Sequence, residues 1–132
     1  MQVRALMHPH PWSVRRDDSL AGVVELMAAQ HITAVPVTDA HRAILGVVSV
    51  ADLLSAQADT LEGGARWETE AAADWMTSPA ITVDAEAPVG DAVQLMHYTD
   101  THRVFVTEQG ALAGVLSQTD ILHAVASRRL PS

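Results

Sequence analysis

The chain has 132 residues and no cysteine, and its 8 Arg, with no Lys, face 16 Asp and Glu for a formal charge of −8 with His neutral. The missing cysteine removes disulfides, thiolate metal sites and cysteine nucleophiles together. The acidic balance argues against a nucleic-acid polymer as partner, because a duplex-binding surface needs clustered positive charge; a mononucleotide, which needs one local donor set, is not excluded. A domain of this length buries roughly two-thirds of its unfolded surface, so no staple is needed.

The opening Met1-Gln2-Val3-Arg4-Ala5-Leu6-Met7 meets Pro9 and Pro11 before an apolar run of signal-peptide length develops, and no later run approaches a membrane span. The expectation is a cytoplasmic protein with no membrane partner. From there the chain reads as one plan written twice, at an offset of 69 residues. Met7 falls on Met76, Val14 on Val83, Val24 on Val93, Leu26-Met27 on Leu95-Met96, and Val35, Val37 and Thr38 on Val104, Val106 and Thr107. After a one-residue slip in a loop, Gly46-Val47 falls on Gly114-Val115, Ser49 on Ser117, Asp52 on Asp120 and Leu54 on Leu122.

In chain order, a short extended segment at Val14, or at Ile81-Thr82-Val83, leads into a helix opened by Asp18-Ser19 or by Ala87-Pro88, with Pro88 suited to the first helical position. Leu20, Val23, Val24 and Met27 stand at i, i+3, i+4 and i+7, and Val89, Ala92, Val93 and Met96 repeat that stripe, so both Met residues read as core. Two strands follow in each half, around Val35–Thr38 and Ile44–Val48, then around Val104–Thr107 and Leu112–Leu116. Pro36, lacking an N–H, is expected at an edge or a strand start. Closing helices are predicted from Val50 to Ala58 and from Gln118 to Arg128. Between the halves, Ser55 to Asp74 reads as a fraying helix end and then an acidic linker around Gly63-Gly64, pinned to the core by Trp67 and Trp75. A short helical turn at Ala71–Met76 leads into the second half, as Val3–Met7 leads into the first. The organisation is therefore residues 1–60, a linker at 61–73, and residues 74–132. Each half, β-α-β-β-α, is too small to be stable alone, so the two are expected to pack about a pseudo-two-fold axis as one α/β (α+β) assembly.

Each copy delivers a Ser at the end of an apolar strand with an Asp three residues on, at the start of a helix. Two readings fit Ser-x-x-Asp. Ser49 and Ser117 are N-caps, with Asp52 and Asp120 in the favourable field of the first turn. Alternatively, the free first-turn N–H groups and the hydroxyl form a phosphate site, beside a carboxylate able to accept from both ribose hydroxyls.

The order of these elements resembles the cystathionine beta-synthase (CBS) domain family, whose tandem pair forms a Bateman module. The resemblance rests on Met76-Thr77-Ser78-Pro79, Ile81-Thr82-Val83, Leu95-Met96, His102-Arg103-Val104-Phe105-Val106 and Gly114-Val115-Leu116-Ser117-Gln118-Thr119-Asp120-Ile121, with weaker copies in the first half. It covers nearly the whole chain. The resemblance implies a regulatory module, not an enzyme, that holds AMP, ADP, ATP or S-adenosylmethionine in clefts between the repeats and requires no cofactor. It assigns ribose to Asp120 and Asp52 and phosphate to Ser117 and Ser49. It sets His102 and Arg103 near phosphate, and Ile81, Thr82, Val104 and Thr119 around the second cleft. The first copy has Thr33 and Ala34 where the second has His102 and Arg103, and Pro11-Trp12 at its adenine wall, so the second cleft is favoured. A homodimer and an unidentified partner protein are also implied; the alternative is a ligand-free homodimerisation module.

Other readings are weaker. His8-Pro9-His10, with His97, His102 or His123, lacks a metal-ligand frame, so no metal is expected. No nucleophile elbow or Gly-rich phosphate loop appears, which argues against an enzyme.

Overall fold

The repeated apolar stripes and strands form the elements their periods predict. The computed structural model describes residues 1–61 and 67–127. A 3-10 turn at Val3–Ala5 precedes β1 (His8–Pro9), β2 (Val14–Arg15), α1 (Leu20–Gln30), β3 (Ala34–Thr38), β4 (Ile44–Ser49) and α2 (Val50–Leu61). Then come α3 (Ala72–Trp75), β5 (Thr82–Asp84), α4 (Val89–Thr99), β6 (Arg103–Glu108), β7 (Ala111–Ser117) and α5 (Gln118–Ala126). Gly63-Gly64 and Arg128, named in the sequence reading, lie outside the described residues.

Two compact units form, Trp12–Ala80 and Met1–Pro11 together with Ile81–Ser132. In the first, β3 pairs with β2 in parallel and with β4 antiparallel, giving the order β2-β3-β4. Val14, Val23, Met27, Val35, Val37 and Val48 form its core, completed by Ala72 of the segment that leads into the second repeat. Trp67 and Trp75 pack beside Leu20 and Ala56, which is how the end of the linker is held. The other unit has the order β1-β7-β6-β5, and its core joins Val3 and Leu6 to Val89, Ala92, Met96, Val104, Val106 and Leu116.

Each lead-in segment thus packs against the repeat it does not precede. Val3 donates its N–H to Ala87 O, Arg4 to Ala85 O, and Val89 to Met1 O. The duplicate contacts run from Leu20 N–H to Glu70 O, Ala72 N–H to Asp18 O, and Ala73 N–H to Arg16 O. Two glycines make the approach possible. A Cβ on Gly46 would lie 2.6 Å from Thr77 O and Ser78 Oγ, and one on Gly114 would lie 2.8 Å from His8 O and 2.7 Å from Met7 Sδ.

Four expectations shift. Pro36 sits mid-strand in the central strand β3, not at an edge or a strand start. Val47, its antiparallel partner, spends both its N–H and its C=O on Thr77, so the Pro36–Val47 pair exchanges no bond. The proline nitrogen therefore faces the β2 side, where β2 reaches only Val37 and Thr38, and no ladder bond is lost. Phe105, the matching residue, has an N–H on that side and donates it to Ile81 O. Pro88 is the N-cap of α4 rather than its first helical residue, its φ of −61° serving equally well one position earlier. In the stripes Leu20, Val23, Met27, Val89, Ala92 and Met96 are buried, while Val24 is half-buried and Val93 exposed, so the i+4 position marks the edge of each apolar face. Finally, α2 runs on to Leu61, past the Ala58 end that its polar composition suggested.

Candidate functional site

The Ser-x-x-Asp elements close on themselves in the same way. In β7–α5, the Asp120 N–H donates to Ser117 Oγ at 3.1 Å, and Asp120 Oδ2 accepts from the Ser117 N–H and hydroxyl, both at 2.8 Å. In β4–α2, the Asp52 N–H donates to Ser49 Oγ at 3.3 Å, and Asp52 Oδ2 accepts from the Ser49 N–H at 2.8 Å and its hydroxyl at 3.0 Å. Both are reciprocal capping boxes, so the capping reading of these residues is structurally correct.

The caps use one oxygen of each carboxylate. The other, Oδ1, faces the lead-in segment packed alongside. Asp120 Oδ1 lies 2.7 Å from His8 Nε2, and Asp52 Oδ1 accepts from the Thr77 hydroxyl at 3.0 Å. His8 and Thr77 are equivalent under the 69-residue offset, each following a matched Met. Sequence reasoning placed neither of them at a carboxylate. The usable signal was their position beside Met7 and Met76, but the offset does not say which repeat a lead-in segment packs on.

Burial raises the Asp120 pKa, but the Ser117 N–H, the Ser117 hydroxyl and the His8 side chain together outweigh it and leave the carboxyl below its ordinary value. An ionised carboxylate only accepts, so Nε2 of His8 carries the proton in this contact. The Asp120 side chain is 14 % exposed and that of His8 70 % exposed. A cavity of about 330 Å³ lies beside them, lined by Leu6, Met7, His8, Asp120, His123, Ala124 and Ser127.

The other expected residues surround this helix start to different degrees. His102 Nδ1 lies 3.2 Å from Gln118 Oε1, and His102 O accepts from the Gln118 N–H at 2.9 Å, which ties it to the first residue of α5. Arg103, a half-buried residue, pairs across the ladder with Ser117, and among the described residues its guanidinium has no ion pair. Thr119 is exposed in the first turn of α5. Thr82 pairs with Phe105 in the β5–β6 ladder, and Ile81 is half-buried against the core. Val104, expected at the ligand, is wholly buried in that core, backbone included, so it offers a ligand no exposed surface. Among the described residues no group of three or more His, Cys, Asp or Glu could hold a metal ion, and no helix is long and apolar enough to cross a membrane.

The repeated β-α-β-β-α fold and the paired capping boxes define a tandem α/β repeat protein. The CBS domain family model matches residues 3–59 and again 72–127, and the chain belongs to that family. A CBS protein, CBSX2, whose crystal structure was solved in complex with AMP, is 25% identical, with a TM-score of 0.83 over 98% of both chains. The CBS domain pair of MJ0100, solved with 5-methylthioadenosine and S-adenosyl-L-methionine, shares the fold at 18% identity, with a TM-score of 0.79 over 97% of this chain and 98% of that one. Among curated proteins, the zinc metalloprotease MJ0392 of Methanocaldococcus jannaschii is 27% identical over 95% of this chain. The chain spans about a third of that relative's length, at 32%.

Proposed function

We propose that this chain is a regulatory module that binds an adenosine derivative of the AMP, ADP or ATP class at the Ser117–Asp120 helix start and signals to a partner protein. The observation that carries the reading is Asp120. Its carboxylate is held ionised at a helix N-terminus, its Oδ2 is fixed by Ser117, and its Oδ1 meets only the exposed imidazole of His8 at the edge of the cavity, a contact that the hydroxyls of a ribose can replace. Arg103, with no ion pair among the described residues, supplies a guanidinium fork for phosphate, and His102 supports it. Ile81, Thr82 and Thr119 complete this site, and Val104 supports it from the core. Asp52 and Ser49 form a second, weaker one, with Thr33 and Ala34 where His102 and Arg103 stand. The AMP complex of CBSX2 supports an adenine nucleotide as the first ligand to test; S-adenosylmethionine is the competing adenosyl ligand.

The module acts by binding and not by catalysis, and output through a partner requires that the ligand bind two states of the module with different affinity. The test is thermal unfolding against AMP, ADP, ATP, NAD and S-adenosylmethionine, with Asp120→Ala and Asp52→Ala in parallel. A ligand at a hundred times its dissociation constant adds about 2.7 kcal/mol, which moves the midpoint by several degrees. Stabilisation of the wild type that is lost in Asp120→Ala alone supports the reading; indifference to every ligand ends it.

A second reading, self-association through the helices, is favoured by Leu54 and Leu122. They are equivalent in the two repeats and 61% and 64% exposed, and Tyr98 on α4 is 90% exposed. A midpoint that rises with protein concentration, with or without ligand, supports a homodimer.

A further inference from the structure

The carboxylate of Asp120 is nearly saturated before any ligand arrives. A carboxylate offers about four lone-pair sites. The Ser117 N–H and hydroxyl take two on Oδ2, and the imidazole of His8 takes one on Oδ1. One site is left, and a cis-diol that donates both of its hydroxyls needs two.

We infer that His8 is the residue that sets the affinity of Asp120 for ribose-bearing ligands, by competing with one hydroxyl of the diol for Oδ1. The inference rests on the proposed adenosyl-binding reading and deepens it. Displacement of His8 is structurally cheap. Its side chain is mostly exposed and borders the open cavity shared with His123 and Ser127, so the imidazole can leave Oδ1 without moving β1. The backbone that carries it stays in register, His8 opposite Val115. At Asp52 the competitor is the hydroxyl of Thr77, on a shorter side chain. The two repeats therefore differ not in their carboxylates but in what a ligand must displace from them.

A ligand with a single ribose hydroxyl meets no competition, because one lone pair of Asp120 is already free. Affinities of AMP and 2′-deoxy-AMP, measured by isothermal titration on wild type, His8→Ala, His8→Thr and Asp120→Asn, separate the possibilities. The expected result is AMP binding about two- to fivefold tighter in His8→Ala, the range for an exposed side-chain contact to a carboxylate, with 2′-deoxy-AMP unchanged. His8→Thr, which restores a donor like that of Thr77, stays near wild type and guards against a fold defect in the alanine variant. AMP binding by His8→Ala where wild type shows none supports the inference equally. If wild type binds AMP and loses it in Asp120→Asn, while His8→Ala leaves AMP unchanged or shifts both nucleotides alike, the role of His8 is overturned and the adenosyl reading stands. If neither wild type nor His8→Ala binds AMP, the adenosyl reading falls and takes the competitor with it.

Discussion

At the scale of single residues, Ser117 and Asp120 stabilise the fold whatever they bind. Ser117→Ala removes the acceptor of the Asp120 N–H and a donor to Oδ2, and is expected to cost about 1 kcal/mol by chemical denaturation. Asp120 also gives a signed pH dependence. Its folded pKa lies below the ordinary carboxyl value, so its contribution is fully present above about pH 4 and is lost as pH falls through the folded value. The stability curves of wild type and Asp120→Asn should therefore converge on acidification below pH 4; a gap that stays constant there contradicts the assignment. The glycines give a sharper contrast. Gly114→Ala drives a Cβ against the carbonyl of His8, and Gly46→Ala does the same against Thr77, each at an expected cost of about 1–3 kcal/mol. Gly90→Ala has nothing within 4 Å and sits in α4, so it should stabilise by about 0.5–1 kcal/mol.

Among secondary-structure elements, the segments ahead of each repeat carry more of the structure than their length suggests. Val3 is wholly buried and Leu6 nearly so, both in the core built by α4, β6, β7 and α5. Leu6→Ala is expected to cost about 2–5 kcal/mol, the range for a buried leucine, and hydrogen exchange should show the loss in β6 and β7 rather than in β3 and β4. Helices and strands were legible because period and repetition agreed, Leu20 with Val89 and Val35 with Val104. The destination of the lead-in segments was not, because a sequence offset relates two copies without saying which of them a flanking segment touches. Pro36 shows the same limit. A rule about missing donors is right about chemistry, yet the position of Pro36 was decided by how far β2 extends, which no local pattern encodes. Of the candidate site, the capped carboxylates were readable from their spacing, whereas the partners of their outer oxygens, His8 and Thr77, depend on long-range packing.

For the whole molecule, the chain begins in one compact unit, builds the other, and returns to finish the first. Residues 12–132, expressed without Met1–Pro11, lack Val3 and Leu6 and are expected to lose hydrogen-exchange protection in β6 and β7; adding a peptide of residues 1–11 should restore it, whereas a peptide of residues 71–80 should not. The same interleaving sets an order of events during synthesis. Met1–Pro11 leaves the ribosome with its apolar Val3 and Leu6 uncovered, and roughly a hundred residues separate it from its partner strand β7. At about 5–20 residues per second that is a wait of roughly 5–20 s. The unit Trp12–Ala80, contiguous in sequence, can close within that interval. The leading segment must stay unattached until the last strand is made, and on a crowded polysome the β7 of a neighbouring nascent chain is available to it as well.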